Sequence, residues 1–592
     1  MWETKTLYDR LALMLNEKIN SYSRLKNDRE LIAEYFRLDL QVEVDSKTNS
    51  LILGRGIYEG TAPWAARIMA TGFQGKLMSK SIDWIAYTMS ETSLIGIDPL
   101  DIWVQQVKEY MTDVYQRGNF YDVQPNFTLD GLTVGSPVMF AEEDLRTKRI
   151  MWIPQYYKHC YLFYNKFNEV EGIIIKDPKW TVKQIYDKFT TQGKSGAERL
   201  AECKEKFSAC LYKKIEQGMF SDEHTIIRAV FYGNDPVWDR PEFKKPIGNP
   251  QWISVYYEES PKEDRKDIPL SASPYWSRPF VVWDYNKKPW DVGSSTPAFE
   301  AYHDTLSHQQ VHKNFIELAQ KKVNPAMYYL STMDNRIDFN PGGLMPVEPD
   351  EYNHPPRPIE GLGDILLNKE LSDIFSAAIK RHFHLDQLQT FLERLRQGRA
   401  PLTELETMKL DGESASFLSP FIESHSRYLS ACDEVMMGIE VRAAREGGPF
   451  APDVMAEITD IVVQNSKKPV NTISIRPEFI GPLHRSQKLY QKIDPIRTGV
   501  AIASEIGQVL GDPELPKIMI RGYETIDDAL QAVNFPQKNV RTKDEYEKTL
   551  DEITQARLQQ QQMEMALQAA KVVPPSKKIE EGSPIAEMAG AV

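Results

Sequence analysis

Apolar side chains recur at every third or fourth position at the start of the chain. Leu7, Leu11, Leu15 and Ile19 follow this spacing, which places them along one face of an α-helix. We therefore predict a helix over residues 2–37. The same periodicity, with local start and stop residues, predicts further helices over 62–89, 101–117, 181–218, 297–322, 361–397 and 403–446, from about 482 onward, and over 541–571.

Two stretches, 120–175 and 219–293, carry the alternation and the aromatic and β-branched residues that are typical of strands. We read the second stretch as a small β-rich module inserted between two helices. The predicted fold class is therefore α+β, mainly helical. The candidate strands lie around 132–134, 149–153, 161–164, 172–175, 225–232, 252–258, 279–284 and 472–475.

The composition is that of a folded chain. Of 592 residues, 41% are hydrophobic and 26% are charged, which is ordinary for a globular protein. At ~150 residues per domain, the length predicts about four domains. No apolar run reaches ~18 residues, so we predict no membrane-spanning helix, and the first residues lack a basic-then-apolar signal pattern.

The charge balance limits the kind of nucleic-acid contact that we expect. The chain has 71 basic and 84 acidic side chains and a net charge of −13. Tight, sequence-independent coating of nucleic acid depends on Lys and Arg neutralising phosphates, so this balance argues against it. A mostly negative wall with a few positive rings would still let DNA slide past.

Two motifs suggest chemistry but are incomplete. His308 and His312 stand one helical turn apart, as in zinc proteases, but position 309 is Gln where the general base would be. The segment 192–195 is similar to the end of a phosphate-binding loop, yet position 188 is Lys where the motif needs Gly. We predict polar helix residues and a loop between helices, respectively.

The cysteines predict no special chemistry. Cys160, Cys203, Cys210 and Cys432 include no CxxC pair, so we expect reduced thiols and no disulfide framework. A pairing of Cys432 with the histidines of 382–384 has no local signature of a nucleophile. We therefore predict no enzyme activity and no cofactor.

Three arginines lie close together at a predicted helix break. Arg394, Arg396 and Arg399 fall within six residues, next to Gly398 and Pro401. Taken alone, this segment reads as a solvated surface turn.

Several short motifs in the right order give the chain a resemblance to a known family. The strongest is a proline-led strand at 278–283, then 293–297, then a long helix ending in Asn324-Pro325. The chain resembles the portal proteins, or head-to-tail connectors, of short-tailed, T7-like bacteriophages from about residue 5 to about 570. The other matching segments lie at 24–29, 61–66, 75–77, 83–84, 118–121, 131–135, 402–405, 413, 417–420 and 474–479, before Gln487.

The resemblance implies a ring, usually of twelve copies, at one capsid vertex, through which DNA enters and leaves. It implies these regions: an N-terminal wing part, 1–195; a first stem helix, 196–218; a clip, 219–293; a second stem helix, 294–322; a C-terminal wing part, 323–480, with a tunnel loop at about 385–403; a crown or barrel, 481–571; and a disordered tail, 572–592. Arg394, Arg396 and Arg399 then become candidates to face DNA phosphates.

The implied partners follow from that role. They are further copies of the chain, double-stranded DNA bound without sequence specificity, the terminase packaging motor, a tail adaptor protein, the major capsid protein, and scaffold or internal core proteins. The protein would be made in the host cytoplasm and reside in the virion, with no membrane partner. Two alternatives stay open: a metal-dependent enzyme using His308 and His312, and another virion structural protein that forms no ring.

Overall fold

The computed structural model divides the chain into two units, Met1–Gln487 and Lys488–Val592. The residues that it describes are 6–40, 43–44, 51–52, 56–95, 97–191, 193, 195–239, 243–261, 264, 266, 269–288, 293–323, 327–328, 357–358, 365–388, 418–465, 475–484, 494–509, 520–532 and 543–572.

The first unit combines helices with antiparallel sheets, so the predicted α+β class is confirmed. Its described helices are α1 Leu7–Phe36, α2 Thr61–Leu77, α3 Asp98–Arg117, α4 Phe120–Leu132, α5 Val182–Phe189, α6 Gly196–Lys206, α7 Ala209–Glu216, α8 Pro297–Val323, α9 Ile365–His382, α10 Leu385–Leu388, α11 Ser419–Ala443 and α12 Pro452–Asn465.

The strands of this unit are all paired antiparallel. They are β1 Glu43–Val44, β2 Leu51–Ile52, β3 Ile85–Met89, β4 Val138–Asp144, β5 Arg149–Gln155, β6 Cys160–Tyr164, β7 Val170–Thr181, β8 Glu223–Tyr232, β9 Trp252–Glu258, β10 Ser271–Tyr275, β11 Phe280–Val282, β12 Met327–Tyr328, β13 Arg357–Pro358 and β14 Ile475–Phe479.

Helix α1 shows why the opening periodicity was informative. The Thr6 hydroxyl accepts a hydrogen bond from the backbone N–H of Asp9 and caps the helix. Leu7, Leu11 and Leu15 are buried in a core that includes Val255 and Tyr257 of β9. The predicted helix is therefore confirmed, and its apolar stripe covers one face of a sheet.

That sheet has five strands in the order β10-β9-β8-β7-β6. Strands β8 and β9 come from the stretch 219–293, but β8 pairs with β7, which precedes this stretch. Strand β11 pairs with β4 in a second, three-stranded sheet. The strands of the predicted β-rich insert thus share sheets with residues 138–181, because β7 and β4 are buried strands that need partners on both edges. The division into wing, stem and clip stays a prediction.

Three local predictions were wrong. Residues 85–89 form β3 instead of continuing a helix, since Ile85 and Met89 alternate inward and pair with β14. Residues 120–132 form helix α4, although Pro125 lies inside it. The predicted helix over 181–218 is three helices, and the Ser208 hydroxyl caps the last of them by accepting from the N–H of Leu211 at 3.2 Å.

The main core joins distant parts of the first unit. It contains Phe73 of α2, Tyr115 of α3, Phe127 of α4 and Tyr428 of α11, all nearly inaccessible. Strand β10 and helix α12 were not predicted. The tail predicted at 572–592 lies outside the described residues, apart from Val572.

The second unit is helical where the structure describes it. Its helices are α13 Asp494–Val509, α14 Gly522–Ala532 and α15 Lys543–Val572. The last confirms the helix predicted over 541–571, and its apolar residues, including Leu550, Ile553 and Leu558, are exposed. Its assignment to a crown or barrel stays a prediction.

Candidate functional site

The three candidate DNA-facing residues, Arg394, Arg396 and Arg399, lie in the segment 389–417, outside the described residues. The structure does describe how the chain enters and leaves this segment. Helices α9 and α10 precede it, and α11 follows it. The contacts of these flanking helices show which core lies on each side of the segment.

The entering side is anchored by apolar side chains. Phe383 is inaccessible and lies against Phe36 of α1, with ring centroids 5.8 Å apart. Leu385, at the start of α10, is 2% exposed. The chain therefore enters the segment directly from a packed core.

The leaving side is anchored in the same core. Leu418 is 1% exposed, and Phe421 stacks on Phe73 of α2 with ring centroids 3.7 Å apart. Trp283 meets Phe421 edge to face at 5.8 Å. Phe383 and Phe421 belong to one continuous cluster, so the described residues on the two sides of the segment lie in the same packed core.

A partly buried polar joint, defined as Glu59, His308, Gln309, His312 and Ser372, holds α8 to α9 and to the start of α2. His308 Nδ1 lies 3.1 Å from Glu59 Oε2. The Nε2 atoms of His308 and His312 lie 3.1 and 2.9 Å from the Ser372 hydroxyl. The Gln309 carbonyl accepts the backbone N–H groups of Tyr58 and Glu59 at 2.8 and 3.1 Å.

The carboxyl group of Glu59 is ionised and gives the polar joint a negative charge. Burial disfavours its ionised form, but the contact with His308 and the hydrogen bonds from Thr61 outweigh burial and lower the pKa of Glu59 to about 2. Its carboxylate also accepts from the Thr61 N–H at 2.7 Å and so satisfies the first turn of α2. Burial, with the neighbouring His308, lowers the pKa of His312. The polar joint is thus an acidic group held by a helix start and an imidazole.

This geometry does not favour a metal enzyme. A metal site needs donor atoms that converge on one point, but Glu59 lies at Nδ1 of His308 while His312 shares the Nε2 side with Ser372. Within the described ranges, no group of three His, Cys, Asp or Glu side chains is arranged to hold a metal ion. The prediction of polar helix residues for His308 and His312 agrees with these contacts.

The segment similar to a phosphate-binding loop serves as a helix start. The Ser195 hydroxyl accepts from the N–H of Glu198, and the Glu198 carboxylate accepts from the N–H of Ser195. This reciprocal pair is a capping box. Gln192 and Lys194 lie outside the described residues.

Cys432 and the histidines near 382 have separate environments. Cys432 is inaccessible, and burial raises the pKa of its thiol, which disfavours the nucleophilic thiolate. His382 Nε2 lies 3.0 Å from Asp304 Oδ2 of α8. His384 ends the turn before α10 with a φ of 49°.

Sequence reasoning missed two members of the polar joint. Glu59 could have been found as an acidic residue just before the start signals Thr61 and Pro63 of α2. Ser372 has no local signal, because its role depends on α9 packing against α8. In the part of the chain that the structure describes, no helix is long and apolar enough to cross a membrane.

Comparison with known proteins identifies the family. The family model described as "Bacteriophage head to tail connecting protein" matches residues 40–540. The portal protein of Salmonella phage epsilon15 is 23% identical over 349 residues, which cover 58% of this chain and 57% of that protein. The chain thus spans little more than half the length of this curated relative. Since the family match covers most of the sequence, the chain belongs to the bacteriophage head-to-tail connecting proteins.

Proposed function

We propose that the protein forms a ring-shaped channel at one vertex of the phage capsid. DNA would enter the head through this channel during packaging, be retained, and leave through it during ejection. The observation that carries the proposal is the family match over residues 40–540. As a connecting protein, the chain is a structural part of the virion.

The proposed ring has twelve copies. Each subunit would contact the next head to tail, and such contacts close when the rotation per subunit divides a full turn. The wing, stem, clip and crown regions keep the boundaries given above, with the clip and its charged loop near 258–267 facing outward. The terminase motor and then a tail adaptor would dock there, while capsid, scaffold or internal core proteins would contact the wing and crown.

The DNA contact is proposed for Arg394, Arg396 and Arg399. The described residues on the two sides of their segment lie in one core, namely Phe383 and Leu385 before it and Leu418 and Phe421 after it. In a ring, one arginine per chain becomes a positive belt that meets phosphates without reading bases. The net charge of −13 keeps the rest of the wall from binding DNA tightly.

The ring is tested by native mass measurement and negative-stain imaging of the purified protein. A closed ring of about twelve subunits with a central hole is expected. A monomer or dimer at high concentration, at both low and high salt, would contradict the proposal and favour a virion protein that forms no ring.

The DNA contact is tested by charge reversal. Arg394→Glu, Arg396→Glu and Arg399→Glu, made singly and together, are expected to leave the ring intact and to lower the yield of DNA-filled heads in a packaging assay. Arg521→Glu is the matched control, since Arg521 is an exposed arginine directly before α14 in the second unit. Normal packaging by the triple variant would refute the arginine assignment while leaving the ring proposal standing.

A further inference from the structure

A cleft of about 600 Å³ opens between the two sheets and the C-terminal half of α11. This volume is roughly twenty times the ~30 Å³ share of a water molecule, so it admits more than a single ion. The cleft is lined by residues of β4, α5, β9, β10, the link from β10 to β11, and α11. Its ionisable side chains are Glu142, Glu143, Lys188, Tyr256, Tyr275, Arg278 and Arg442.

Both carboxylates of the cleft already have cationic partners outside its lining. Arg228 Nη1 lies 3.2 Å from Glu142 Oε1. Arg445 Nη2 lies 2.7 Å from Glu143 Oε1. Each carboxylate of the cleft is therefore paired with an arginine outside the lining, although Arg445 also pairs with Glu440.

The three cations of the cleft lack such partners. Among the described residues, no carboxylate lies within 4.0 Å of the charged nitrogens of Lys188, Arg278 or Arg442. Lys188 Nζ donates to the Tyr256 hydroxyl at 3.2 Å, and Arg442 Nη2 donates to the Ser277 hydroxyl at 3.1 Å. The cleft thus carries three positive charges whose hydrogen bonds go to neutral groups, with Glu142 near Lys188 and Glu143 near Arg442 as more distant counter-charges.

Arg278 is the least compensated of the three. Its Nε is buried and has no hydrogen-bond partner among the described residues, and the guanidinium lies 4.8 Å from the ring centre of Phe280. Burial lowers the pKa of Arg278 and outweighs the opposing effect of the more distant carboxylates of Glu434 and Asp284. An unpaired buried charge is costly, so an incoming anion would relieve this cost.

The chemistry of the cleft selects the anion. Guanidinium groups hold planar carboxylates through paired hydrogen bonds. Trp276, 46% exposed, and Tyr275 add aromatic surface beside the cations. A continuous phosphate backbone would also meet Glu142 and Glu143, whereas a peptide can place uncharged residues next to them.

We propose that this cleft binds an extended acidic segment of a partner protein, with its carboxylates on Lys188, Arg278 and Arg442. The site is independent of the proposed ring and channel, because every residue in it belongs to one chain. It gives this chain a peptide-docking site at the junction of its two sheets.

The test is fluorescence anisotropy of a labelled, end-blocked peptide in which Glu alternates with Val, added to the full-length protein. We expect saturable binding that weakens as salt is raised. Matched peptides carrying Gln or Lys in place of Glu are expected not to bind. Binding of all three peptides alike would overturn the proposal.

Variants locate the site. Arg278→Gln is expected to weaken peptide binding roughly 30-fold, because it removes a buried charge partner, and the more exposed Arg442→Gln about threefold. Arg117→Gln, a surface arginine paired with Asp113 outside the cleft, is the matched control and should bind like the parent. If Arg278→Gln fails to fold, Lys188→Gln and Arg442→Gln together still decide, and unchanged binding by that pair would overturn the proposal.

Two other occupants give distinct results. If short duplex DNA displaces the peptide at equal charge concentration, the site is a phosphate site and the acidic-peptide assignment is wrong. If Lys188→Gln with Arg442→Gln abolishes self-assembly, a neighbouring copy of the chain fills the cleft, which also overturns the partner assignment. Intact assembly with lost peptide binding supports the proposal.

Discussion

Two polar regions of the first unit use the same residue types in opposite ways. In the polar joint, His308 is 1% exposed. Its Nε2 lies 3.1 Å from the Ser372 hydroxyl, and its Nδ1 lies 3.1 Å from a Glu59 carboxylate oxygen without an aligned hydrogen bond. On α11, His425 is inaccessible, and neither ring nitrogen has a hydrogen-bond partner among the described residues. Three aromatic rings surround it instead, those of Trp283, Phe421 and Tyr428.

The carboxylates of the two regions also differ, because the pKa of one is lowered and the pKa of the other is raised. Glu59, in contact with His308 and bonded by Thr61, has its pKa lowered to about 2. Asp433 on α11 accepts the Tyr87 hydroxyl at 2.5 Å and the Tyr115 hydroxyl at 3.2 Å, but burial outweighs these bonds and raises its pKa to about 7. Glu59 is 20% exposed and has an imidazole and a helix start beside it, whereas Asp433 is 2% exposed and accepts from two tyrosines. Depth of burial and the bonding partners therefore set the charge of each carboxylate together.

The largest expected effect comes from breaking the polar joint. His308→Ala should lower the free energy of unfolding by ~3 kcal/mol, because it removes a buried imidazole and takes one polar contact each from Glu59 and Ser372. Thr61 still donates to Glu59, and His312 still contacts Ser372. The measurement is urea unfolding at fixed protein concentration. His303→Ala, an exposed position on the same helix, is the control, and equal losses in the two variants would show that the polar joint adds no stability.

The second effect concerns Asp433. Its folded pKa of about 7 exceeds the ordinary 3.8, so the folded state holds the proton more tightly and its stability falls as pH rises from about 4 to about 7. Asp433→Asn keeps an oxygen for both tyrosines and removes this loss. We expect the variant to be ~2 kcal/mol more stable than the parent at pH 8, with the difference shrinking toward pH 4.

The control for Asp433 is Glu423→Gln, an exposed carboxylate earlier on the same helix. Its unfolding free energy should follow that of the parent at every pH. If Asp433→Asn is less stable than the parent at pH 8, the carboxylate is ionised and stabilising, and the contrast with Glu59 disappears.

Local periodicity was enough to predict the bounds of α1, α3, α8 and α15, most of them to within a few residues, because each helix carries a regular pattern or a clear stop. It was not enough for β3. Residues 85–89 continue an apolar pattern that began in a helix, and only pairing with β14, almost four hundred residues later, makes them a strand.

The sites follow the same division. The sequence shows His308 and His312 one helical turn apart. Their polar partners come from elsewhere, because Glu59 lies just before α2 and Ser372 lies in α9. The cleft cations were not predicted, since Lys188, Arg278 and Arg442 are far apart along the chain and only packing between the sheets and α11 brings them together.

The smallest effect is expected at His425 and sharpens the contrast with His308. Burial, together with the nearby His484, lowers the pKa of His425 to about 3. The unfolded chain takes up this proton near pH 6.5 and the folded chain does not, so stability falls by ~1.4 kcal/mol per pH unit below that value. The Phe side chain of His425→Phe suits the surrounding rings, and the substitution should remove this loss of unfolding free energy at low pH. The variant should therefore be ~1 kcal/mol more stable than the parent near pH 5.5. His303→Gln is the control, and parallel pH profiles for the parent and His425→Phe would mean that His425 is charged in the fold and has a partner as His308 does.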